Sequence, residues 1–159
     1  MGYSPLSWLH VATAVAAMAA GLGIVLMRKG TRLHRRVGYF YVVSMVALNV
    51  SSFFIFSLTG RFSPFHVASM FSLMVLIAGF LPVFLRRPPG GWLRLHMEFM
   101  VWSYIGLLAA AVSEAAVRIP QTPFWWSVAG GTAVVIVTGA LIWAHNRPRL
   151  LAQFMRRPG

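Results

Sequence analysis

Five long apolar runs fill most of this chain, and the connections between them are too short to hold a separate soluble domain. Their limits fall near 7–27, 37–57, 64–85, 95–117 and 124–144, each close to the roughly 20 helical residues that cross a bilayer. In lipid only a helix or a closed barrel satisfies its own backbone polar groups. Runs of this length therefore predict an all-α membrane protein, one transmembrane domain over 1–159, with a basic tail at 145–159. Charge agrees: 10% of the residues are charged, against about 25% in an ordinary soluble domain.

The first run lacks a basic leader and passes directly into Arg28 and Lys29. It reads as a retained helix with a stop-transfer flank and not as a cleaved signal. The chain has no cysteine, so disulfides and thiolate ligands are excluded.

The net charge of +12 would suit nucleic acid if it were spread along a face. It is instead partitioned. Of the 14 Lys and Arg, "RKGTRLHRR" (28–36) carries Arg28, Lys29, Arg32, Arg35 and Arg36. Arg86, Arg87 and Arg94 join the third and fourth runs, and Arg147, Arg149, Arg156 and Arg157 follow the fifth. The alternate ends hold only Arg61 and Arg118. By the positive-inside rule this places the N-terminus outside and the C-terminus in the cytoplasm. The partners it implies are anionic lipid headgroups on the cytoplasmic side, with no nucleic acid.

Punctuation follows the same plan. Lys29-Gly30-Thr31, Gly60 with Pro64, Pro88-Pro89-Gly90-Gly91, and Pro120 with Pro123 mark the turns. Trp8, Trp92, Trp125, Trp126 and Trp143 are expected as interfacial anchors. Small residues crowd "ATAVAAMAAGLG" and "LLAAAVSEAA". They allow close helix approach, or they leave room for a flat group.

Four of the five histidines form a pattern. His10, His34, His66 and His96 each open one of the first four helices, so they alternate between membrane faces. An up-and-down four-helix bundle puts helices one and three on one diagonal and two and four on the other, with the fifth packed outside. His10 and His66 then form a pair at the outer end, and His34 and His96 a pair at the inner end. Such pairs are what bis-histidine b-type haem needs, a ligation that suits electron transfer and not oxygen chemistry. Arg32, Arg35 and Arg94 near the inner pair and Arg61 near the outer are candidate propionate partners. Ala14, Ala17, Gly21 and Gly38 are candidates for the faces of the ring. Because His34 stands among its own arginines at the rim, the outer pair is the better placed.

One histidine on each of four successive helices, with a basic loop leading into one of them, resembles the cytochrome b561 family. The resemblance covers roughly 7–117 and is one of layout. It implies a four-helix core holding one or two haems b through His10 with His66 and His34 with His96, and electron transfer across or within the membrane, with a quinone or a redox protein as partner. The segments "KGTRLHRRVGY" and "LRLHMEFMVWSYIGLLAA" also resemble small bacterial integral-membrane proteins known only as a domain of unknown function. That likeness implies a bacterial inner membrane and no activity.

Other readings remain beside this one. The histidines suit a membrane interface without any ligand, as in a non-catalytic subunit or assembly factor, and His145 is read that way. A small metal or proton transporter is a third. Zinc usually takes three or four protein ligands, and no carboxylate is expected beside His10 and His66. Both acids lie in the fourth helix. Glu98, about 200° around from His96, is expected to pair with a cytoplasmic arginine, and Glu114 with Arg118 one turn on. Two acids give no evident Ser-His-Asp set, and there is no phosphate loop or HExxH. An electron carrier is thus expected in place of a stand-alone enzyme, although a transmembrane oxidoreductase fits the same layout.

Overall fold

The computed structural model of the chain describes residues 4–55, 60 and 63–155, with side chains to residue 152. The candidate propionate partner Arg61, and Arg156 and Arg157 of the tail, lie outside the described residues. Five helices follow one another: α1 (Pro5–Leu26), α2 (Arg32–Ser52), α3 (Pro64–Leu85), α4 (Trp92–Ala116) and α5 (Phe124–Met155). No strand occurs among the described residues.

The packing is that of an up-and-down bundle. Helix α1 packs on α2, α2 on α3, α3 on α4, and α4 returns to α1, while α5 lies against α4 alone. Neither diagonal pair makes a backbone-level contact, so α1 faces α3 and α2 faces α4 across the axis.

By length and hydropathy α1, α3, α4 and α5 qualify as membrane spans; α2 does not. The reason lies in which way its polar residues face. Tyr41, Ser44, Met45, Leu48, Asn49 and Ser52 recur at helical spacing and are buried, whereas Leu33, Phe40, Val43, Val46 and Val50 are exposed. An apolar exterior around a partly polar interior is the arrangement lipid favours, since interhelical hydrogen bonds form only inside. Helix α2 thus packs into the bundle with its polar side chains inward and its apolar ones outward.

Several limits differ from those the hydropathy pattern predicts. The hydropathy pattern puts the second run at 37–57, but α2 begins at Arg32 because Thr31 caps it, its side chain accepting from the His34 N–H at 3.1 Å. It ends at Ser52, where Ser51 and Ser52 turn their hydroxyls onto the backbone at Leu48 and Asn49. The expected tail from 145 is helical through Met155, with Pro148 inside the helix. At about 1.5 Å per residue, α5 outruns the ~30 Å hydrocarbon core. Trp143, expected as an interfacial anchor, is 8% exposed and packed in the protein. Trp8, Trp125 and Trp126 are exposed, as anchors would be.

Small residues on α1 allow close approach and leave no slot there. Ala17, Ala20 and Gly21 are buried. A Cβ at Gly21 would stand 2.3 Å from the Tyr104 ring, so this ring already fills the space. The Tyr104 hydroxyl donates to Met18 O at 3.3 Å, and Tyr41 OH bonds Ser103 Oγ at 3.0 Å across the α2–α4 diagonal. Tyr41 and Tyr104 meet edge to face. Together they plug the centre of the bundle and divide its interior into two ends.

Candidate functional site

At the end away from the basic loops, α1, α2 and α4 converge on His10. Its Nδ1 lies 3.0 Å from Ser51 Oγ, and its Nε2 is 3.9 Å from Glu114 Oε2. Glu114 Oε1 accepts from Arg118 Nη2 at 2.6 Å, the expected pair one turn apart. Ser51 spends its own hydroxyl proton on Leu48 O at 2.9 Å. Its oxygen is therefore an acceptor, and His10 must carry a proton on Nδ1. One sequence expectation is corrected here. A carboxylate does stand beside His10, because Glu114 and His10 occupy the same level on neighbouring helices. A serine, a histidine and a glutamate do line up; yet Ser51 is buried and its proton is committed to a carbonyl, so it is no nucleophile.

His66 shares this end but is engaged otherwise. It is the third residue of α3, and its Nδ1 accepts from the Ser63 N–H at 3.1 Å and bonds Ser63 Oγ at 2.8 Å. This is a capping box with histidine in the place of Glu or Gln. A ring that accepts at Nδ1 carries its proton on Nε2 in the neutral state. Nearby, Ser52 Oγ and Ser69 Oγ are hydrogen-bonded at 2.7 Å, tying α2 to α3, and Phe53 lies against the His66 ring.

The basic end is built differently. His96 Nδ1 is 2.8 Å from Gly79 O, so that nitrogen is the donor and the neutral ring leaves Nε2 unprotonated. Gly79 makes this possible: a Cβ there would come within 3.1 Å of the Met100 backbone, so only glycine lets α3 approach α4 this closely. His34, on the facing helix, is near enough for the charges of the two rings to interact. Its Nδ1 is buried without a hydrogen-bond partner. One turn on, a Cβ at Gly38 would meet no atom within 4 Å, so the wall beside His34 is open.

Cations surround this end. Lys29 donates to the last carbonyls of α1, at Ile24, at Val25 (2.8 Å) and at Met27 (3.1 Å). Arg32 and Arg35 are exposed on the first turn of α2. Arg94 is not free for a propionate, since it bonds Glu98 at 3.1 Å. Glu98 also accepts from Arg147 of α5, so it pairs with arginine as the sequence suggested. His145 is exposed beyond this clamp.

Compared with known proteins, residues 7–153 match the family described as Predicted membrane protein (DUF2306). The chain belongs to that family. No curated protein and no solved structure matches it. The resemblance to cytochrome b561 gains nothing from these comparisons.

Within this DUF2306 chain the two histidine pairs differ in fitness for haem iron. A ligating imidazole presents an unprotonated nitrogen and donates its other N–H to a carbonyl or carboxylate. His96 meets both conditions, and His34 faces it with an uncommitted buried nitrogen. His66 presents Nε2–H, and His10 turns Nε2 toward a carboxylate, so the outer pair does not fit iron as it stands. That ordering reverses the one drawn from the basic residues around His34. The signal that decides it, the partner of each Nδ1, exists only once the helices are packed. No group of three or more His, Asp or Glu side chains suited to a metal ion occurs among the described residues.

Proposed function

We propose that this protein is a membrane electron carrier with one b-type haem, held between His34 and His96 at the basic end of the bundle. The observation that carries this reading is the state of His96: Nδ1–H given to the Gly79 carbonyl, Nε2 left for a metal, and His34 opposite with a buried nitrogen lacking a partner. Haem would supply one-electron chemistry, and with both axial positions taken by imidazole it has no open site for oxygen.

The chain's own residues do the positioning. The Gly79 carbonyl fixes the His96 tautomer and ring plane. The Thr31 cap fixes His34 as the third residue of α2. Arg32, Arg35 and Lys29 provide cations at the rim where propionates would lie. The Tyr41–Ser103–Tyr104 plug closes the site from the other half of the bundle. Electrons would enter and leave at the basic face, through a quinone or a redox protein. The charge partition supports placing that face in the cytoplasm of a bacterial inner membrane, with the N-terminus outside.

The test is the visible spectrum of protein purified after expression with ample haem supply. Reduced-minus-oxidised b-type bands are expected, lost in His34→Ala and in His96→Ala and retained in His10→Ala. A colourless preparation refutes the reading, and so does a spectrum that survives either inner substitution.

A further inference from the structure

The hydrogen-bond arithmetic around His10 leaves one proton to be placed. Nδ1–H is directed at Ser51 Oγ, whose own proton goes to Leu48 O. In a neutral ring Nε2 is then a bare acceptor, and it faces the Glu114 carboxylate at 3.9 Å. Two acceptors turned toward each other inside a membrane protein repel unless a proton lies between them. The side chains are only 16% and 30% exposed, so bulk water does not screen them fully.

We propose that His10 and Glu114 form a proton-binding site, which takes up one proton from the aqueous phase on the Arg118 side and holds it as an imidazolium–carboxylate pair. The balance is simple: neutral His10 gains one H⁺ at Nε2, no other bond changes, and the pair goes from net negative to neutral before Arg118 is counted. Access is one-sided. Glu114 and Arg118 open toward the surface, at 30% and 43% exposed. The inward path is closed by Ser51, Met45 and Leu48, all buried, and by the tyrosine plug beyond them.

The neighbouring helices contribute little else that titrates. Helix α2 brings Ser51 and Asn49 and no charge between Val37 and Ser52. Helix α3 brings His66, occupied with Ser63. Helix α4 brings Glu114, the turn after it brings Arg118, and α5 carries no titratable residue from Phe124 to Ala144. Among the described residues the site therefore answers to three groups: His10, Glu114 and Arg118. It is independent of the inner histidines, which lie at the opposite end of the bundle.

The experiment follows the ring nitrogens of ¹⁵N-histidine in the full chain, reconstituted in lipid, with His10 assigned by its loss in His10→Gln. The pH is varied between roughly 5 and 8, and the expected result is that His10 Nε2 gains its proton on acidification. Glu114→Gln and Arg118→Gln are expected to displace the midpoint in opposite directions, the first by at least about one pH unit, a tenfold change in proton affinity. Glu114→Asp keeps the step and controls for misfolding. In sealed vesicles only the pH on the Arg118 side moves the signal. A His10 ring that stays in one state over that range overturns the proposal, as does a midpoint indifferent to Glu114→Gln. A response to pH on the basic side overturns the one-sided access. His34→Ala and His96→Ala, which abolish haem binding in the reading above, leave this titration unchanged, so the two claims fail separately.

Discussion

Gly21 of α1 lies under the Tyr104 ring of α4 at a distance no side chain could share, a Cβ there standing 2.3 Å from Tyr104 Cδ2. The contact joins α1 to α4 and closes the bundle on itself. Gly21→Ala is expected to destabilise the fold by about 1–3 kcal/mol through overpacking. Tyr104→Ala relieves the clash, so the double variant should lose less than the sum of the two single ones. Unfolding in mixed detergent, read by circular dichroism, gives all four corners of that cycle. Additive losses would show that the ring moves aside freely.

The Tyr41–Ser103 hydrogen bond crosses the bundle axis and is buried at both ends. Interhelical hydrogen bonds in membrane proteins average about 0.6 kcal/mol and reach roughly 1.7. Tyr41→Phe keeps the ring and removes only the hydroxyl. It should therefore cost no more than that range, while Tyr41→Ala opens a cavity and costs about 3–5 kcal/mol. If the two variants prove equally damaging, the bond and not the ring is what fills the centre.

How much of this was legible beforehand differs from residue to residue. Helix α3 ends where hydropathy and Pro64 place it, because both signals are local. Bundle order follows from short loops, and the Glu114–Arg118 pair from spacing along one helix. Hydropathy sets α2 five residues too late at each end, since the cap at Thr31 outweighs the hydropathy minimum among the arginines. The His10–Glu114 approach was missed because the two residues are far apart in sequence and meet only through α1–α4 packing. Likewise, nothing in the sequence distinguishes His66, turned back on Ser63, from His96, turned toward Gly79. Both are histidines near a helix start, and the partner of each Nδ1 decides its chemistry.

That difference is itself measurable. The Ser63–His66 capping box predicts the Nε2–H tautomer for His66, and the Gly79 carbonyl predicts Nδ1–H for His96. In ¹⁵N spectra of haem-free protein at alkaline pH the two rings should show opposite tautomers. His66→Ala should cost about 1 kcal/mol, as the loss of a helix cap does, with the b-type bands retained. Identical tautomers at the two positions would contradict the geometry at one of them.

Glu98 joins two helices: Arg94 precedes it on α4, and Arg147 reaches it from α5. The two cations are not equivalent. Arg94 is 61% exposed and Arg147 37%, so water competes more strongly for the first. A double-mutant cycle on Glu98→Gln and Arg147→Gln is expected to give a coupling of about 0.5–1 kcal/mol, the upper part of the range for partly exposed pairs. The cycle with Arg94→Gln should come out near zero. Raising the salt concentration should shrink the Arg147 coupling, since ions screen partly exposed charges. Because Arg147 lies near the C-terminal end of α5, which packs on α4 alone, losing this pair should loosen that end first. Faster amide exchange from Asn146 onward, with α1 to α3 unchanged, is the result that would locate the effect there. Uniform loosening of all five helices would instead assign Glu98 a role in the whole bundle.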